Sequence, residues 1–321
     1  MKRSFWVISA ITVFILIILA YFGGGYYIYY RLSKIGPPAA NSLANNPSNF
    51  KVDYFKYATF DTTPYEVSNY EVIRFPSRQA NISLSGWYIE IDPNDPVVII
   101  THGMGASKKD ANVLIAAGML EHNGFNVLLY DLRNFGESDK DNGHTGAGNK
   151  EYQDVLGAWD YLINVKGYHP DQIGLYGISM GGAATLIAFG QEPRVAAAFV
   201  DSPFANMSET IKDELARHHL PTFFETPAIM IARIVNGENL LAHSPTEAID
   251  TDNGRPIFIV HETGDTRVSV NQTRELAALA QEKGANVSVW MPDGVEHVGA
   301  MFDFTNTYQQ DLVSFFNAAL K

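Results

Sequence analysis

The chain has 321 residues, enough to bury a large core, and once an apolar N-terminal stretch is set aside the remainder suits one α/β domain better than two small ones. A formal net charge of −12 with no long run of lysine or arginine argues against nucleic acid as a partner, because phosphate binding needs a basic surface. There is no cysteine, which excludes disulfides, thiolate metal sites, cysteine nucleophiles and lipid attachment through an N-terminal cysteine.

Phe5 to Phe22 (FWVISAITVFILIILAYF) carries no charge. At about 1.5 Å per residue it covers roughly 27 Å, close to the hydrocarbon core of a bilayer. Gly23 to Gly25 and the tyrosines 26, 27, 29 and 30 follow, an aromatic cluster suited to the membrane–water interface, before Arg31 and Lys34. The run exceeds the usual signal-peptide core of about 7 to 15 residues and lacks a small-x-small site directly after it, so residues 1–34 read as a single-pass membrane anchor; cleavage near Ala39 to Ala44 is the alternative. The short basic tail, Lys2 and Arg3, favours an inside N-terminus and an extracytoplasmic domain. Residues 35–50 are rich in Pro, Asn, Ser and Ala and read as a flexible tether, and residues 51–321 as the folded domain.

Within that domain Glu71 to Pro76 and Ile82 to Ile91 read as an opening antiparallel pair. The rhythm then changes. Val97–Thr101, Asn126–Tyr130, Ile173–Gly177, Ala196–Val200, Ile257–Val260 and Val287–Trp290 are short apolar runs separated mostly by helical patterns, as a parallel sheet covered on both faces requires. One gap is longer than a crossover needs. Between the runs ending at Val200 and starting at Ile257 lie the helical stretches Met207–His219 and Thr226–Asn236, and residues 204–250 read as a helical cap insertion, with Phe204, Phe223, Phe224 and Met230 as candidate substrate-binding residues.

Gly177-Ile178-Ser179-Met180-Gly181 is a G-x-S-x-G match between a strand and a glycine- and alanine-rich helix start. Glycines are required there because a serine on a strained turn brings strand and helix so close that side chains at 177 and 181 would collide. A serine hydroxyl is a weak nucleophile at neutral pH and needs a general base, itself oriented by an acid. His297 follows the last strand in a glycine-containing loop, at the sheet edge that also carries Ser179. Of the other histidines, His261 ends a strand but comes too early in chain order, and His102 reads as a brace of its loop. Asp265, in the loop after Ile257–Val260, is the acid, with Asp201 its rival. The oxyanion needs two backbone N–H donors, and Met180, at a helix N-terminus, and Met104, in the glycine-containing loop after Val97–Thr101, are the candidates.

His102-Gly103-Met104-Gly105, then Asp131-Leu132-Arg133-Asn134-Phe135-Gly136-Glu137-Ser138, the elbow at Ser179, and Asp265 and His297 in that order resemble the α/β-hydrolase superfamily, specifically its membrane-anchored bacterial cell-surface branch, and are similar to serine aminopeptidase-like and dienelactone hydrolase-like members. The resemblance covers residues 67–321. It implies an eight-stranded, mostly parallel sheet with helices on both faces, with Ser179, Asp265 and His297 as nucleophile, acid and base, and a structural part for Asp131 and Arg133. The chain departs from the pattern at His261 and Glu262, where a small glycine-containing turn is frequent. Expected is a serine hydrolase acting on a small-molecule ester, carboxylesterase-, lipase- or thioesterase-like, with no metal or organic cofactor. Peptide or amide hydrolysis and acyl transfer use the same groups, and a non-catalytic binding module on this fold is a further alternative.

Overall fold

The strands at the centre of the sheet are buried at every residue, so each needs cover on both faces. The computed structural model describes residues 2–36, 44–78 and 81–321. It contains β1 (Glu71–Pro76), β2 (Ser83–Ile89), β3 (Val97–Thr101), β4 (Asn126–Tyr130), β5 (Ile173–Ile178), β6 (Ala197–Asp201), β7 (Ile257–Val260) and β8 (Val287–Trp290), joined in one sheet of order β1-β2-β4-β3-β5-β6-β7-β8. β1 pairs antiparallel with β2, and β2 antiparallel with β4; every later pairing is parallel. The expected antiparallel opening and parallel remainder are both present.

The helices are α1 (Lys2–Ser33), α2 (Ala111–Glu121), α3 (Tyr152–Tyr161), α4 (Met180–Gln191), α5 (Met207–Arg217), α6 (Glu225–Asn236), α7 (Glu247–Asp250), α8 (Asn271–Lys283), α9 (Ala300–Asp303) and α10 (Thr305–Ala319). Successive side chains of a strand point to opposite faces, and β3 shows what this does. Val97 and Ile99 enter a core covered by α3, α4, α7 and α8, whereas Val98 and Ile100 enter a second core under α2, α9 and α10. Two apolar layers therefore hold the sheet edge rigid where the loops of the site leave it.

A third core lies off the sheet. Ile28 and Tyr29 of α1 pack with Phe204, with Met207, Ile211 and Leu215 of α5, and with Ala228 and Ala232 of α6. The helix expected over Phe5–Phe22 thus continues to Ser33, through three glycines that by themselves disfavour helix. Packing offsets that cost. A Cβ on Gly24 would overlap the Phe224 ring, and one on Gly25 would lie 2.6 Å from Pro227 Cβ, so the glycines let α1 press against α6. Tyr29 Oη donates to Glu238 Oε2 at 2.9 Å, and Ser33 Oγ lies 2.8 Å from His144 Nδ1. Between Phe5 and Ser33 the helix is long and apolar enough to cross a membrane, and its outer part, Phe5 to Leu19, is largely exposed.

Of the expected tether, residues 37–43 lie outside the described residues, and with them most of the alternative cleavage region. The described flanks are held on the domain. Ile35 N–H donates to the Gly143 carbonyl, the Asn45 amide donates to the Lys51 and Lys109 carbonyls, and Phe50 is buried.

Candidate active site

Ser179 follows β5 directly and caps α4, with φ 55° and ψ −120°, a positive φ that costs a non-glycine residue energy and persists only where the surroundings impose it. They do so here. The Ser179 N–H donates to the Asp201 carbonyl at 2.7 Å, and side chains at 177 or 181 would collide with Thr185 and with the Thr101 and His102 carbonyls. The hydroxyl is thereby held above the C-terminal edge of the sheet.

The loop from β8 to α9 brings His297 over the same edge. Its Nε2 lies 2.9 Å from Ser179 Oγ, and its Nδ1 2.6 Å from Asp265 Oδ2. An ionised carboxylate only accepts hydrogen bonds, so the proton sits on Nδ1 and Nε2 turns its lone pair to the serine hydroxyl. Asp265 is fixed from its other side, its Oδ1 accepting the N–H groups of Arg267 and Val268 at 2.7 and 2.9 Å. Burial alone would push the Asp265 carboxyl up. The histidines at 261 and 297 and the Val268 N–H outweigh it and hold the group well below the usual carboxylate range.

The departure at His261 and Glu262 has a physical account. His261 is fully buried; its Nε2 faces two pure acceptors, the Val268 carbonyl at 3.0 Å and Asp265 Oδ2 at 3.3 Å, so it carries the proton, and its Nδ1 accepts from Thr273 Oγ1 at 2.7 Å. The imidazole stands behind Asp265 as a second donor, where a small turn would leave an empty space. Glu262 is equally buried, accepting from Ala300 N–H and from Ser202 Oγ, and so ties the loop that carries Asp265 to α9, just past His297. Neither role was legible in the spacing, which left His261 aside on chain order.

Asp201, the rival acid, makes no hydrogen bond or ion pair with His297, which pairs with Asp265 and Ser179. It is buried at the end of β6, accepting from Tyr308 Oη at 2.7 Å and contacting Ser202 Oγ at 2.8 Å. Burial, followed by the nearby charge of Glu262, raises its pKa well above the ordinary value. The single Ser202 proton cannot serve both Asp201 and Glu262, so a proton on Asp201 completes that chain.

The remaining expected residues divide. His102 is buried, its Nδ1 on the Gly103 carbonyl and its Nε2 accepting from Leu132 N–H, as a loop brace should be. Asp131 accepts the backbone N–H groups of Lys108 and Glu137 and the Lys108 ammonium, and Arg133 pairs with Asp154. Met180 opens α4, and Met104 borders Ser179 in two cavities of about 400 Å³ each. One cavity is walled by Phe204, by Met207, Ile211 and Leu215 of α5, and by α1. The other runs past Tyr54, Tyr57, Asp110, His297 and Phe302. Of the four expected substrate-binding residues, Phe204 lies on a cavity wall. Phe223 and Phe224 instead stack on Tyr21 of α1, with centroids 6.3 and 6.2 Å apart, and Met230 is on an exposed face of α6; none of these three lines either cavity. A further cleft of about 550 Å³, bounded by Phe60, Tyr65 and Asp303–Thr307, contains neither Ser179 nor His297.

Comparison with known proteins gives the family and the fold. Residues 111–321, well over half of the chain, match the prolyl oligopeptidase family. The uncharacterized protein YfhR of Escherichia coli O157:H7 is 27% identical over 258 residues, covering 78% of this chain and 81% of its own. Among solved structures the Pyrococcus furiosus esterase Pf2001 superposes with a TM-score of 0.65 at 20% identity, covering 90% of this chain and 99% of that one. The Pyrococcus horikoshii acylaminoacyl peptidase superposes at 0.56 and 19% identity, covering 79% of this chain and 42% of that one. By this match and by its eight-stranded sheet, the chain belongs to the prolyl oligopeptidase family and has the α/β-hydrolase fold.

Proposed function

We propose that the protein is a membrane-anchored serine hydrolase that cleaves a carboxylic ester, carboxylesterase-, lipase- or thioesterase-like. The supporting observation is the continuous hydrogen-bond chain from Ser179 Oγ through His297 to Asp265, at the junction of two cavities. In this reading Ser179 Oγ attacks the carbonyl carbon while its proton passes to His297 Nε2, and Asp265 stabilises the imidazolium. The tetrahedral oxyanion is received by the N–H groups of Met180 and Met104. Collapse returns the proton from His297 to the leaving alcohol or thiol, and a water deprotonated by the same imidazole then releases the acid from Ser179. Protein groups supply every step, and the reading invokes no metal or cofactor.

Peptide hydrolysis is the second reading, favoured by the family and by the acylaminoacyl peptidase among the structural neighbours. An ester is preferred because the cavity enclosed by α1 and α5 is apolar along most of its wall, which suits an acyl chain better than a peptide backbone that needs hydrogen-bond partners. The helix α1 is read as a single-pass anchor with the domain outside the cytoplasm. Ser179→Ala should abolish turnover of a short p-nitrophenyl ester with the far-ultraviolet spectrum unchanged; retained turnover sinks the assignment. A panel of matched esters and amides separates the two readings.

A further inference from the structure

An anchor has no need to touch the site, yet four residues of α1, Tyr27, Ile28, Arg31 and Leu32, line the same cavity as Ser179. Their spacing, one and four positions apart, puts them on one helix face. The opposite wall is Phe204 and α5, and Ala228 and Ala232 of α6 close the core behind Ile28. The cavity's Leu220 lies three residues before Phe223, which stacks on Tyr21, so this end of the cavity is close to where α1 leaves the domain. Phe223 at that exit is 61% exposed, and along α6 Met230, Ile234 and Val235 are exposed too, Ile234 at 70%. Exposed apolar side chains of this kind, on elements packed against a helix long enough to cross a membrane, are suited to the bilayer interface.

Charge in the cavity points the same way. Arg31 and Arg267 both line it, and among the described residues neither makes an ion pair or a side-chain hydrogen bond. The carboxylate that shares the wall, Glu214, is already engaged by Arg217 at 2.6 Å and by His218 at 3.3 Å. Arg267 borders Ser179 in both cavities. A protein of net charge −12 thus places two guanidinium groups, neither in an ion pair among the described residues, in the cavity that holds its nucleophile candidate.

We infer that α1 is a wall of the substrate site as well as an anchor, and that the substrate is a long-chain acyl ester with an anionic head group, drawn from the bilayer in which α1 sits. The acyl chain lies along Tyr27, Ile28 and Leu32, and the head group meets Arg31 and Arg267. This rests on the reading of Ser179 as nucleophile.

The test uses the full chain in mixed micelles, with a lysophosphatidylglycerol and a monoacylglycerol of the same acyl chain as probes. Wild type should favour the anionic lipid in kcat/KM by about tenfold or more, the size of one hydrogen bond to a charged group. Arg31→Gln combined with Arg267→Gln should remove that preference. Leu32→Trp should lower the ratio of dodecanoyl to acetyl p-nitrophenyl ester turnover by about tenfold, by narrowing the chain's path. Equal turnover of the two lipids by wild type, or ratios that neither set of changes moves, overturns the inference. Labelling of Ser179 by a fluorophosphonate is read on every sample. A labelled enzyme indifferent to head group and chain length refutes the lipid substrate alone, whereas an unlabelled wild type refutes the nucleophile.

Discussion

Replacing Asp265 by Asn removes one negative charge and leaves the shape. The asparagine carbonyl can still accept from the Arg267 and Val268 N–H groups, so the loop should hold. What disappears is the carboxylate 2.6 Å from His297 Nδ1. Two unit charges at about 3 to 4 Å and an effective dielectric of about 20 interact by roughly 4 to 6 kcal/mol, which is about 10³- to 10⁴-fold in rate if the imidazolium forms in the transition state. That agrees with the roughly 10⁴-fold loss caused by the same change in serine proteases, where the wrong tautomer is also favoured. The assay is kcat/KM on a short p-nitrophenyl ester, with the rate of fluorophosphonate labelling beside it. Asp201→Asn is the control, because Asp201 is buried, has its pKa raised, and touches Tyr308 and Ser202 rather than His297. Its kcat/KM should fall by less than about tenfold. Equal losses in the two variants, or a larger one at Asp201, would refute the assignment of the acid. The stability consequence has a definite sign. The folded-state pKa of Asp265 is depressed, so its carboxylate stabilises the fold above the unfolded value of about 3.9, and the contribution is lost as pH falls through the folded value. Asp265→Asn should therefore lower Tm at pH 7 and leave it nearly unchanged at strongly acid pH.

Three further outcomes follow from packing and charge. Gly25→Val puts a Cβ 2.6 Å from Pro227 Cβ, forcing α1 and α6 apart at a cost of about 1 to 3 kcal/mol; limited proteolysis should then cut between Pro221 and Asn236 several-fold faster, and an unchanged rate would mean that α1 does not dock there. Arg133→Ala leaves the fully buried Asp154 without its cation and should cost about 3 to 5 kcal/mol, lowering Tm on the order of 10 °C in a melting curve. The Glu137 carboxyl is held down to about 2 by Lys109 and Lys108, so its stabilisation is complete above the unfolded value of about 4.3 and is lost as pH falls through about 2; Glu137→Gln should flatten that limb of an acid-denaturation curve.

The parts of this molecule that were legible from the chain are those governed by short-range rules. A strand covered on both faces must be apolar throughout, so β3 to β6 announced themselves. The turn at Ser179 demands glycine at 177 and 181 for steric reasons that hold in any surroundings. The insertion is different, because which residues of α5 face the cavity and which of α6 are buried is decided by what packs on them, and that partner is α1, almost 200 residues earlier. Phe223 and Phe224 were equally plausible as cavity lining and as helix packing, and Tyr21 took them. Gly24 and Gly25 read as the end of an apolar run, since nothing local shows that Phe224 and Pro227 come against them. His261 lost to His297 on chain order, although its position behind Asp265 depends on the loop from Gly264 to Val268 folding back to present the Val268 carbonyl.

The most direct test of the account is active-site labelling of the full chain with a fluorophosphonate, followed by mass spectrometry of the modified peptide and the parallel assay of Ser179→Ala. The account predicts a single adduct on Ser179, and loss of both the adduct and ester turnover in the variant. An adduct on another serine, or wild-type turnover by Ser179→Ala, contradicts it.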